Sequence, residues 1–280
     1  MRPFPGRVPW LARCKACGLG WADPQPGDKE LAEIYSDHYY EQFGFIEENG
    51  GPHKGLSLIK QATYSRILNH TEKFLDPGSK ERRLLDVGCG LGFSLEAAAK
   101  RGWNPLGLDP LASESESRRG LHGQPIRKGT LETFRADHPF EAVSMVDLIE
   151  HVRDPVVAIA RAAEFLTPRG LLLIATNNIE SALARVMGGR WPLLIRAHLW
   201  FFSPRTLSLA AERAGLEVLA ARATWRVYNA DYIASILARG TNFALARAVS
   251  RWILRWIPRP LRLIPWPPIP EGMVVIARKR

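Results

Sequence analysis

The chain has 280 residues, 46% of them hydrophobic, with three cysteines and a formal net charge of +10. That apolar content can bury a full core, so one α/β domain with additions is expected ahead of two full domains. Three cysteines cannot build a disulfide framework, no run of about eighteen apolar residues offers a spanning helix, and Met1-Arg2-Pro3-Phe4-Pro5-Gly6-Arg7 lacks a signal peptide's apolar stretch, which together point to the cytoplasm.

The first motif in chain order is Arg13-Cys14-Lys15-Ala16-Cys17-Gly18. Two thiolates so spaced can reach one tetrahedral metal, but a closed zinc site takes four ligands and no second pair occurs. The expectation is a short hairpin with Cys14 and Cys17 free rather than a zinc site. Leu31, Ile34, Tyr35 and Tyr39 then share one face of a helix predicted over 28–40, which runs into the aromatic stretch 39–45. Gly50-Gly51-Pro52 is a break, and Leu58, Ile59, Ala62, Ile67 and Leu68 mark a second helix over 56–74.

The chain is organised around residues 83–110. Leu84, Leu85 and Val87 suit a strand buried on both faces, and Gly88, Gly90 and Gly92, with Cys89 among them, fall in the turn that follows. Glycines there let the backbone approach a ligand, and a helix starting at 92–94 turns free N–H groups toward it. A second strand, 105–108, delivers Asp109 followed by Pro110, 109 − 88 = 21 residues past the first glycine, where an acid can accept hydrogen bonds from two ribose hydroxyls. The pattern describes a nucleoside site. A dinucleotide fingerprint would need glycine at position 93, which holds Phe93, so a nicotinamide dehydrogenase is disfavoured.

Further strands are predicted at 125–129, 140–146, 170–175 and 216–224, with helices at 154–166 and from Ser203 to about 214. This alternation implies right-handed crossovers and ligands at the carboxyl edge. The strand ending at Val146 leads into Asp147-Leu148-Ile149-Glu150-His151, and Ala197-His198-Leu199-Trp200-Phe201-Phe202 follows later. His151 and His198 are the two general-base candidates, histidine being the side chain that ordinarily titrates near neutrality. The bland alternative has Glu150 and His151 capping the next helix, and the aromatics serving as core or pocket wall.

Leu85-Asp86-Val87-Gly88-Cys89-Gly90-Leu91-Gly92, with Asp109, resembles the first motifs of class I S-adenosylmethionine-dependent methyltransferases, and residues 83–219 as a whole resemble their ubiquinone-biosynthesis type. The resemblance implies a doubly wound, Rossmann-like, mostly parallel seven-stranded sheet with an antiparallel last strand. It places S-adenosylmethionine against Asp86, Gly88, Cys89, Gly90, Gly92, Asp109, Pro110, Thr130, Leu131 and Asp147, with Thr130 and Leu131 in the adenine-contacting loop. It makes the aromatic stretch 39–45 a lid, although the same rings could simply be buried. Some quinone-pathway relatives hold a divalent cation through an acid, a Glu and a His, which here would be Asp147, Glu150 and His151; that cation is not the favoured reading. Some relatives carry two Cys-x-x-Cys pairs, of which this chain has one. Arg169 stands where the family usually has glycine, and Asn178 where its asparagine is often flanked by proline.

The expected organisation is therefore residues 1–55 as a cysteine segment and lid, 56–224 with 271–280 as the methyltransferase domain, and 225–270 as a basic, proline-rich insertion. From Arg239 to Arg280 there are nine bases and one acid, 9 − 1 = +8 of the formal +10. Arg247, Arg251 and Arg255 share one helix face, with Val249, Trp252, Ile253 and Trp256 on the other. Such a helix either packs on protein, covering the pocket or a dimer interface, or lies at 240–270 on an anionic membrane surface. Protein packing is the expected reading, and no RNA-binding motif makes a nucleic acid the partner. The functional expectation is methyl transfer to a small or lipid-linked acceptor at oxygen, against the alternative of a non-catalytic donor-binding adaptor.

Overall fold

The computed structural model describes residues 8–35, 53–76, 81–112, 123–240, 244–266 and 268–280. The stretch 39–45 expected to form a lid lies outside them. The chain opens with a hairpin of β1 (Leu11–Arg13) and β2 (Gly20–Ala22), and the Cys14 amide donates to the Leu19 carbonyl across it. α1 (Asp28–Ile34) follows, ending at Tyr35. α2 (Lys54–Thr71) starts on His53, whose Nδ1 accepts from the Leu56 amide at 3.3 Å, and a 3-10 turn continues it to Phe74.

The central segment runs β3 (Arg83–Val87), α3 (Phe93–Ala99), β4 (Asn104–Asp109), β5 (Ile126–Lys128), β6 (Phe140–Val146), α4 (Pro155–Glu164) and β7 (Leu166–Asn177). α4 begins where Asp154 accepts from the Val156 and Val157 amides at 2.9 and 3.0 Å, with Pro155 in its first turn. Asp154 is thus the cap, and the alternative that Glu150 and His151 cap this helix is set aside. β7 starts earlier than the predicted strand 170–175, because Leu166 already pairs with Phe140 across a bulge. Arg169 sits in that irregular stretch at φ +63°, the left-handed region a glycine would adopt without strain.

α5 (Ala182–Met187) and β8 (Trp200–Phe201) come next, then α6 (Pro204–Arg213), which opens with the reciprocal Ser203–Thr206 capping box. β9 (Glu217–Arg226) leads into the insertion, which folds as α7 (Ala230–Gly240), α8 (Ala244–Trp256) and α9 (Arg259–Arg262) before β10 (Ile269–Arg278).

The sheet order is β5-β4-β3-β6-β7-β10-β9, parallel except for β10, which runs antiparallel between β7 and β9. Both faces are covered, one by α4 and α6 through Ile159 and Leu207, the other by α2 and α3 through Leu68 and Ala98. The strand order reverses between β3 and β6, which opens a crevice at their carboxyl ends. The hairpin β1-β2 joins β8 in a small second sheet, so the N-terminal segment is docked on the loop after β7. Among the described residues no helix is long and apolar enough to cross a membrane.

Candidate active site

At the end of β3 the chain turns through Gly88, Gly90 and Gly92, with φ of +72°, +55° and +81°. Side chains would be strained at all three, and a Cβ on Gly88 would meet Leu148 at 3.0 Å. Asp109, buried at the end of β4, accepts from the Gly90 amide at 2.8 Å and from the Leu111 amide at 2.9 Å. These two bonds fix the direction of its carboxylate.

The other residues expected around the donor fall into distinct places. Asp86 is buried beneath the turn, accepting from Ser144 at 2.5 Å and from Ser94, while the Tyr64 hydroxyl meets Ser144 at 2.7 Å. Burial raises the Asp86 carboxyl to about 6 against the opposing pull of those two serine bonds. Its side chain therefore anchors the loop from below. Cys89 packs its sulfur with Leu95 and Ile126, and Leu131 lies in the central core, so both side chains are largely turned away from solvent. Pro110 is exposed, and the Thr130 amide donates to the Thr133 hydroxyl at 3.0 Å in the loop after β5.

Asp147, at φ +54°, is engaged differently from either expectation. Lys60 on α2 meets it at 2.7 Å and Arg226 at the end of β9 meets it at 2.5 Å. Burial alone would raise this carboxyl, but the charges of Arg226 and Lys60 hold it well below the usual carboxylate range. Its lone pairs serve this ion pair, so the disfavoured metal set of Asp147, Glu150 and His151 does not form. Lys60 and Arg226 escaped sequence reasoning, since one lies on an unremarkable helix face and the other at a strand end.

Glu150 and His151 instead meet His198. One ligand atom from each lies within 4.8 Å of the others, the one such group among the described residues. The histidine rings stand edge to face at 4.8 Å between centroids. The Leu199 amide donates to the Glu150 carbonyl at 2.7 Å and the Trp200 indole to the Val152 carbonyl at 2.9 Å, which holds the two segments together. His151 Nδ1 lies 3.0 Å from the Ala197 carbonyl and His198 Nδ1 lies 2.8 Å from the Leu193 carbonyl. A carbonyl only accepts, so both rings are assigned as Nδ1–H tautomers with a lone pair on Nε2. Glu150 is buried, its Oε2 has no hydrogen-bond partner among the described residues, and burial raises its carboxyl.

This donor set, two imidazole lone pairs and an orphaned carboxylate oxygen, fits a divalent cation. It equally suits a proton in transit. Burial, with the His151 ring beside it, pushes His198 down to about 3, so its imidazole is held neutral and is a weak proton acceptor, suited to hydrogen bonding or ligation. Tyr35, at the end of α1, brings its hydroxyl to 2.6 Å from the same His151 Nδ1, and in the assigned tautomer its oxygen shares that N–H as an acceptor with the Ala197 carbonyl. Helical spacing placed Tyr35 on an apolar face, and nothing in the sequence linked it to a histidine more than a hundred residues on.

Comparison with known proteins adds to this geometry. A model described as a methyltransferase domain matches residues 60–221, more than half of the chain. The ubiquinone biosynthesis O-methyltransferase of Azorhizobium caulinodans is 28% identical over 221 residues, covering 74% of this chain and 80% of that protein. The protein of the same name from Idiomarina loihiensis is 31% identical over 188 residues, covering 61% of this chain and 74% of its own length. Among solved structures, the [4+2]-cyclase SpnF superposes with a TM-score of 0.53 at 19% identity, over 91% of this chain and 97% of its own. That likeness speaks for the fold alone.

Proposed function

Because the chain belongs to the class I S-adenosylmethionine-dependent methyltransferases, we propose that it methylates the oxygen of an acidic, phenol-like hydroxyl on a small or lipid-linked acceptor, with the acceptor seated at Glu150, His151 and His198. The observation that carries this reading is the histidine pair and buried carboxyl at the carboxyl end of β6, beside the glycine turn. S-adenosylmethionine supplies an electrophilic methyl group; the chain's part is to align the acceptor oxygen with it and keep water out.

In this reading Gly88, Gly90 and Gly92 admit the donor's backbone-facing side and Asp109 accepts from its ribose, while Asp86 and Asp147 hold the loops from behind. Donor contacts from Cys89, Pro110, Thr130 and Leu131 are then backbone or rim contacts. His151 Nε2 takes the acceptor's hydroxyl proton, and its Nδ1–H, held on Ala197, keeps the ring turned to do so. In the alternative in which Nε2 of His151 ligates instead of accepting a proton, a divalent cation held by Glu150, His151 and His198 would lower the hydroxyl's pKa. Relatives named for O-methylation in ubiquinone biosynthesis support oxygen as the acceptor atom. We read residues 240–270 as the part that brings the chain, from the cytoplasm, to a lipid-linked acceptor.

The test incubates the protein with labelled donor and matched phenol, amine and thiol acceptors. A methyl ether with stoichiometric S-adenosylhomocysteine is the expected product; methylated amine alone would overturn the choice of oxygen, and donor binding without product from any acceptor would favour the adaptor.

A further inference from the structure

α8 does not bury its tryptophans. Leu245, Val249, Trp252 and Trp256 recur at i, i+4, i+7 and i+11, one stripe of the helix, and are 77%, 48%, 57% and 64% exposed. The helix turns Ser250 inward on the opposite side and rests on α7. The expectation that the tryptophan face packs on the chain itself is therefore corrected. Seven of the eleven large apolar side chains exposed among the described residues fall between 245 and 266, so the exposure is concentrated in one patch.

The charge around the patch has one sign. Residues 244–266 contain five arginines and no acid. Arg259 and Arg262 turn inward to the buried Asp231, at 3.6 and 3.4 Å, and pin the insertion to α7. Arg247, Arg251 and Arg255 have no acidic partner among the described residues, and the Arg255 guanidinium lies 5.5 Å from the Trp256 ring centroid.

We propose that the stripe Leu245, Val249, Trp252 and Trp256, with Arg251 and Arg255 beside it, docks this chain on the surface of an anionic lipid bilayer. Tryptophan is suited to the headgroup boundary, having an apolar ring and one polar N–H, and arginine beside it finds lipid phosphate. A helix of 13 residues is about 20 Å long, enough to lie in the interface and too short to span. A second copy is the poorer occupant, because joining two such faces would bring three unpaired arginines from each chain together with no acid between them. The insertion springs from the carboxyl end of β9, whose Arg226 touches Asp147, so the stripe belongs to the site's edge of the sheet. The proposal builds on the reading of residues 240–270 as the route to a lipid-linked acceptor.

Flotation of the full chain with vesicles of phosphatidylcholine alone, or of phosphatidylcholine with phosphatidylglycerol, tests it. Wild type should float only with the anionic vesicles. Trp252→Asp/Trp256→Asp should stay at the bottom, and each arginine neutralised at 251 or 255 should lower partitioning roughly fivefold. All these side chains are exposed, so the variants should keep S-adenosylmethionine affinity and turnover of a water-soluble phenol, which separates failure of docking from failure of the methyl-transfer reading. No flotation of wild type, undiminished flotation of the tryptophan variant, or concentration-dependent dimerisation abolished by that variant would overturn the proposal.

Discussion

Asp86 shows how a residue expected to meet the ligand can act through the backbone instead. Two serines and burial hold its carboxylate under the glycine turn, and its native pKa of about 6 exceeds the ordinary 3.8. Between these values the native state binds more protons than the unfolded chain, so Asp86's contribution to stability falls as pH rises through that window and stays low above it. Asp86→Asn removes the charge and keeps an acceptor for one serine. Its destabilisation relative to wild type, from urea denaturation, should therefore be about 2 kcal/mol larger near pH 4 than near pH 7. A difference that does not vary with pH would mean that the carboxyl is not desolvated as described.

At the scale of elements, helix starts were legible and irregular strands were not. Asp154 before Pro155 and Ser203 before Pro204 announce their helices because capping is local chemistry. β7 extends beyond the strand its apolar run predicts because its first residues pair across a bulge that no periodicity reveals. Arg169 marks the place, a non-glycine residue at φ +63° whose exposed guanidinium reaches Asp76 at 3.0 Å. A surface pair adds little, whereas the left-handed conformation taxes any side chain. Arg169→Gly should thus be more stable than Arg169→Ala by about 1 kcal/mol in thermal or urea unfolding, reversing the usual order of those residues. An alanine variant at least as stable would show that the turn is not strained.

For the whole molecule, the strands and the cofactor edge could be read from residues 83–280, because strand burial and glycine punctuation are written into neighbouring positions, whereas the antiparallel direction of the last strand followed only from the family resemblance. The site proposed for the acceptor could be read only in pieces. His151 and His198 were found as rivals, and their contact, like the Lys60–Asp147–Arg226 ion pair and the approach of Tyr35, depends on how distant segments converge. The amphipathic pattern of α8 was equally legible, but a pattern does not say which face the fold covers; here α7 takes the Ser250 side and leaves the tryptophans to solvent. Fold and donor were thus matters of local sequence, acceptor and surface matters of tertiary arrangement.

The reaction is checked most directly by measuring S-adenosylmethionine affinity by calorimetry and single-turnover methyl transfer to a phenol, side by side, for wild type, His151→Ala and Asp109→Ala. His151→Ala should bind the donor as wild type does and transfer its methyl group about 100-fold more slowly. Asp109→Ala should instead weaken donor binding by about tenfold. His151→Ala turning over at the wild-type rate, or Asp109→Ala binding the donor undiminished, would contradict the assignment of donor to the glycine turn and acceptor to the histidine pair.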